Sequence, residues 1–114
     1  MRWSGKLIDA NGRIGTIELD IDDEKGGEGA WKILLAERNT SCELTGKAQL
    51  VATENGVELR STSTEKGGES NWTARLVKHK AGRYAESAML GQYEAVAGAN
   101  AVMSVGVIAL WHFK

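Results

Sequence analysis

The run Arg2-Trp3-Ser4-Gly5-Lys6-Leu7-Ile8-Asp9-Ala10-Asn11-Gly12-Arg13-Ile14-Gly15-Thr16-Ile17-Glu18-Leu19-Asp20-Ile21 sets the fold class. Trp3, Gly5 and Leu7 alternate with Ser4 and Lys6, and Ile17, Leu19 and Ile21 alternate with Glu18 and Asp20. A period of two puts alternate side chains on opposite faces of a strand. Between the two halves lies Asp9-Ala10-Asn11-Gly12, and an Asn-Gly pair supplies the positive φ that a tight reversal needs. The stretch reads as a β-hairpin with one apolar and one polar face.

The same grammar repeats outward along the chain. Turn signals fall at Asp23-Glu24-Lys25-Gly26-Gly27, Asn39-Thr40-Ser41 and Glu54-Asn55-Gly56, then at Glu65-Lys66-Gly67-Gly68, Lys80-Ala81-Gly82 and Ala97-Gly98-Ala99-Asn100. With the first, these seven turns leave eight strands, roughly 2–8, 14–22, 29–38, 43–53, 57–64, 70–79, 83–96 and 101–113. No segment carries a convincing helical period. Short connections make successive strands pair antiparallel. An open sheet of this size would leave two bare edges, and pairing the eighth strand with the first removes both. The predicted fold is all-β: an eight-stranded antiparallel up-and-down barrel with short hairpin loops, a single domain spanning residues 1–114. A two-sheet sandwich is the rival.

An internal repeat accompanies the pattern. Glu24-Lys25-Gly26-Gly27-Glu28 followed by Trp31 returns as Glu65-Lys66-Gly67-Gly68-Glu69 followed by Trp72, and Ser4-Gly5-Lys6 returns as Thr45-Gly46-Lys47. A duplication of a three-strand unit would relate the copies by a two-fold axis across the barrel. The alternative is two hairpins meeting the same turn demand. The Gly-Gly loops are read as turns and not as phosphate cradles, since each is flanked by Glu and opens no helix.

Composition narrows the functional classes. The 114 residues hold 14 basic and 15 acidic side chains for a net charge of −1, which argues against nucleic acid as a partner. No apolar run reaches the roughly 18 residues of a membrane helix, and the first residues lack the apolar core of a secretory signal. Cys42 is the lone cysteine, which fits a reducing cytoplasm. Cys42 is expected in a turn. With two histidines, His79 and His112, and no ligand spacing, neither a metal site nor a cofactor is expected. His79 reads as solvated. Glu86 is expected opposite His112, and Tyr84, Glu86 and His112 form the best acid–base grouping. No catalytic residue is assigned.

The inward set predicted from parity includes all four tryptophans, with Trp3, Trp31 and Trp111 toward one end and Trp72 toward the other. The fifth strand is ambiguous, with Val57, Leu59, Ser61 and Ser63 on one side. An eight-stranded barrel has room for packed side chains or one small ligand. Small inward residues at Gly5, Gly46, Ala48, Ala74 and Gly91 either leave a cavity or make room for indoles. A cavity would open near Trp72 and Tyr93, with Ser61 and Ser63 offering hydroxyls as ligand-binding residues.

A last hairpin centred on Ala99 pairs Tyr93 with Val105, Gly91 with Val107, Met89 with Ala109 and Ser87 with Trp111, all facing inward. Its outer face then carries Ala88, Leu90, Ile108 and Leu110, an apolar patch of the kind that marks an interface between copies of the chain.

Eight meandering strands with short loops, a Trp near the first strand and a Trp near the last, several inward Trp, and Leu90-Gly91-Gln92-Tyr93-Glu94 resembling a Gly-x-Tyr strand make the chain similar to the calycin barrels, although Trp3-Ser4-Gly5 reverses the Gly-x-Trp order with which lipocalins begin. These are the lipocalins, fatty-acid-binding proteins and avidins, the avidin-like variant above all. The resemblance implies a small ligand in the barrel mouth, held by Trp and by Ser or Tyr hydroxyls, and an oligomer packed through outer barrel faces. The expected function is therefore a non-catalytic cytoplasmic barrel binding a small, partly apolar ligand. The alternatives are a homo-oligomeric assembly protein with a packed core and a small barrel cyclase or isomerase.

Overall fold

Turn chemistry and alternation carry through to the register of the first hairpin. Strands β1 (Arg2–Asp9) and β2 (Ile14–Ile21) pair antiparallel, with Gly5 opposite Ile17 and Ile8 opposite Ile14. Gly12 closes the turn at φ 86°, where its N–H donates to the Asp9 carbonyl at 3.0 Å. The computed structural model describes residues 1–22, 27–37, 40–63, 70–80, 85–97 and 101–113. Six further strands follow: β3 (Gly27–Glu37), β4 (Thr40–Thr53), β5 (Gly56–Ser63), β6 (Ser70–Lys80), β7 (Ala85–Ala97) and β8 (Ala101–Phe113). Each pairs antiparallel with the next, and β8 pairs with β1, so the sheet closes as an eight-stranded barrel.

The core is the barrel interior. Trp3, Leu7, Ile17, Leu19, Ile21, Trp31 and Ile33 are buried from the first three strands, and Leu50, Leu59, Trp72, Ala74 and Leu76 from the next three. The ambiguity of β5 resolves with Val57, Leu59 and Ser61 inward. Burying a side chain of this kind contributes about 1.5–3 kcal/mol, so the filled cylinder is the main source of stability. The wall curves tightly. A Cβ on Gly91 would run into the Arg75 carbonyl oxygen, and one on Gly5 into that of Ala109.

The last hairpin departs from the symmetric register. Tyr93 faces Gly106, Gly91 faces Ile108, and Met89 faces Leu110. One bulge causes this: Met103 is the extra residue between the Val102 and Ser104 pairs, and a second bulge, with Glu86 extra between the Ala85 and Ser87 pairs, restores the original register at the far end. The Met103 bulge inverts β8 relative to the symmetric hairpin. Ile108 and Leu110, at 3% and 0% exposure, join the core, while Val105, Val107, Ala109 and Trp111 turn outward. The predicted outer patch of Ala88, Leu90, Ile108 and Leu110 is thus corrected to one keeping only Leu90 and Ala88. Ala88 is itself buried, beside its cross-strand partner Trp111.

Three further expectations change. Trp111 is half-buried on the outer face, so three and not four tryptophans fill the interior. His112 faces Ser87 and not Glu86; its ring lies 5.6 Å from that of Trp3, and its Nδ1 is 2.8 Å from the Arg2 carbonyl. Cys42 is an exposed strand residue opposite Leu35, not a turn residue. The two copies of the repeat also differ in register, since Ser4 opposes Glu18 whereas Glu58 opposes Val51. Most of both Gly-Gly loops, and Tyr84, lie outside the described residues.

Candidate functional site

One hydrogen-bonding level of the barrel is lined almost wholly by small side chains. Following cross-strand partners around the wall, Gly29 opposes Ala48, Ala48 opposes Ser61, Ser61 opposes Trp72, Trp72 opposes Ala95, and Ala95 opposes Ser104. The parity of each strand turns these side chains toward the axis. The level continues from Gly29 to Ile21, which is buried, so its large groups are the Trp72 indole and the Ile21 side chain. Residues above and below it supply the rest: Trp31 from β3, Leu59 from β5, and Tyr93 from β7.

Trp31 and Trp72 meet there edge to face, with ring centroids 5.4 Å apart and planes at 65°. Sequence parity set them at opposite ends. Barrel strands are tilted and staggered, so a residue early in one strand can meet one early in an oppositely directed strand. The Trp31 indole N–H donates to the Lys47 carbonyl at 3.0 Å and is satisfied. The Trp72 Nε1 and Ser61 Oγ are not: both atoms are buried, on directly opposed residues, with no hydrogen-bond partner. Trp3 Nε1 and Ser87 Oγ are likewise unpartnered, but neither faces a second such atom across a strand pair. Trp72 and Ser61 are 6% and 7% exposed, so the pair lies just inside the barrel mouth. Leaving a buried polar group unpaired costs about 1–3 kcal/mol.

Tyr93 adjoins this level through Ala74, two residues along β6 from Trp72. Its hydroxyl is hydrogen-bonded to the Ser104 side chain, and burial raises its pKa above the ordinary 10.0, aided by the nearby Asp9 charge. Trp72, Tyr93 and Ser61, named from the sequence as ligand contacts, thus share one end of the interior. The backbone of Ser63 pairs with Gly46 in the same wall, and its side chain lies outside the described residues.

Sequence reasoning missed Asp9 as an interior group. Its carboxylate is buried beside Tyr93 where β1 runs into its turn. Oδ1 accepts the backbone N–H groups of Asn11 and Arg13 at 3.0 and 2.8 Å, and Oδ2 accepts Arg13 Nε at 2.6 Å. Burial pushes the carboxyl pKa up, but the Arg13 side chain, the two backbone donors and the Arg13 charge outweigh it and hold the pKa below 3.8. Asp9 continues the parity Trp3, Gly5, Leu7, and that signal could have found it. A carboxylate so fully bonded closes the turn and is a poor general base.

No protein-family model, curated protein or solved structure matches this chain. The site therefore rests on its own geometry. Among the described residues, no group of three or more His, Cys, Asp or Glu side chains could hold a metal ion.

Proposed function

We propose that the barrel binds a small, uncharged, ring-bearing ligand in the mouth framed by Ser61, Trp72, Trp31 and Tyr93. The observation that carries this reading is the pair of orphan polar atoms, Trp72 Nε1 and Ser61 Oγ, on directly opposed residues of a level whose other members include the small Gly29, Ala48, Ala95 and Ser104. Both atoms can donate, so a ligand carbonyl or similar acceptor would satisfy them together. The Trp31 N–H is engaged, so Trp31 offers only its ring. The Asp9 carboxylate is already compensated by Arg13, so this end of the interior favours no net charge in a ligand. The calycin-like reading, in its avidin-like form, belongs to this proposal, as does a cytoplasmic location.

Native mass spectrometry of freshly purified protein, together with a thermal-shift screen of neutral aromatic carbonyl compounds, tests the proposal. A ligand at about 100 times its Kd stabilises by roughly 2.7 kcal/mol, a shift of several degrees. The expected result is such a shift, or a co-purifying adduct, in the wild type and its loss in Ser61→Ala and Trp72→Phe. An unliganded wild type that no compound in the screen stabilises would reject the ligand-binding reading. Hydrolysis or isomerisation of a bound compound by wild type would instead favour the small-enzyme alternative.

A further inference from the structure

The outer wall of the barrel has two unlike sides. Across the middle of β2 to β5 the outward rows carry charged and polar groups, as in Glu18 opposite Lys32 and Gln49 opposite Arg60. Around β8 the outer wall is apolar. Every outward position of β8 from Val105 onward is apolar: Val105, Val107, Ala109, Trp111 and Phe113. With Ile108 and Leu110 inside, β8 is hydrophobic on both faces, as strands covered on both sides are. The patch spreads laterally. Ala36, Ile14, Ile8 and Val107 form one continuous cross-strand row over four strands, and Val77, Leu90 and Ala109 form another. Val107, Ile14, Ile8 and Leu90 are 51%, 52%, 48% and 42% exposed.

The patch is not flat. A groove of about 630 Å³ runs over it, bordered by Ile8, Val105 and Val107 and by Thr73, Arg75, Gln92 and Glu94, and it reaches Asp9 and Tyr93 at the barrel end. Leu90 and Val77 stand beside the groove as a ridge, one pair further along the same strands. Arg75 and Glu94 lie on adjacent strands, one pair apart, and neither takes an ion-pair partner among the described residues. Glu58, opposite Arg75, is engaged by Arg60 at 2.7 Å.

From this we infer that the β1–β8–β7 face is a two-fold interface between copies of this chain. The two-fold sets the Leu90–Val77 ridge of each protomer in the groove of the other and brings Arg75 of one protomer to Glu94 of its partner. Such contacts require a self-complementary patch, and this patch has a groove beside a ridge and a cation beside an anion that take no ion-pair partner among the described residues. The ligand proposal rests on Ser61 and Trp72 inside the barrel and the dimer on outward side chains of β6 to β8, so either can fail alone although Tyr93 borders both.

Sedimentation velocity at low micromolar concentration is the test. The wild type should sediment at twice the 12.3 kDa chain mass. Val107→Glu should be monomeric. Arg75→Glu and Glu94→Arg should each weaken the dimer by at least about tenfold through like-charge contact. Combining the two substitutions should restore it, because exchanging both charges keeps opposite signs facing each other across the two-fold. All of these side chains point outward, so the far-ultraviolet circular dichroism should not change. Should Val107→Glu fail to fold, the charge-swap set decides alone. A wild-type monomer, a dimer indifferent to the single swaps, or a double swap that stays weak would each overturn the inference.

Discussion

At the scale of single residues, the orphan atoms and the Asp9 turn make opposite demands on the fold. Ser61 Oγ and Trp72 Nε1 reduce stability in the empty barrel, whereas Asp9 is bonded to capacity. Ser61→Ala should therefore leave the stability of ligand-free protein unchanged or raise it slightly, read as the urea midpoint. Asp9→Ala should lower stability by about 2–3 kcal/mol, since it removes hydrogen bonds to a buried ion and strands Arg13. The Asp9 contribution depends on pH with a definite sign. Its folded pKa lies below its unfolded value, so the stabilisation is complete above about pH 4 and fades as the pH falls through the folded pKa. Wild type should lose stability in that acid window and Asp9→Ala should lose less, measured by denaturation at a series of pH values. Tyr93 runs the other way. Its folded pKa is raised, so its contribution holds below pH 10 and is lost as the solution becomes more alkaline. Tyr93→Phe should flatten the alkaline limb of the same curve.

At the scale of the strand, what the sequence reveals and what it hides have separate physical causes. Strand positions were readable because turns such as Asn11-Gly12 and Asn55-Gly56 punctuate the chain and because β2 alternates cleanly. The register of β7 on β8 was not. β8 is apolar on both faces, so no alternation pins it, and a single extra residue at Met103 inverts its facing without a trace in composition. That misplaced Ile108, Leu110 and Trp111. Trp72 was legible as an inward group while the facing of Ser61 stayed open with the rest of its strand, and the meeting of Trp31 with Trp72 was not legible, because stagger between strands is absent from the parity of any one strand. Two variants probe this level. Gly91→Ala should cost about 1–3 kcal/mol, because its Cβ meets the Arg75 backbone oxygen and backbone cannot step aside as a side chain can. Deleting Met103 should abolish cooperative unfolding, since it turns Ile108 and Leu110 toward solvent or strains the hairpin.

At the scale of the whole molecule, closure is what makes both proposals possible. Pairing β8 with β1 closes the sheet and removes its two outermost edges, so both proposals use the interior or an outer face. The interior is densely apolar around Trp3, Leu19 and Leu110 and changes character at the level of Gly29, Ala48, Ser61 and Ala95. The outside is charged on one side and apolar on the other. The two proposals divide accordingly: the ligand at the end holding Ser61 and Trp72, the second copy on the apolar wall. The decisive measurement is a high-resolution crystal structure of protein purified without denaturation, inspected between Ser61 Oγ and Trp72 Nε1. Density for an ordered molecule within hydrogen-bonding distance of both atoms is the expected result. Density in which these two groups are satisfied by the protein itself, with side chains filling the level around them, would contradict a ligand-binding barrel.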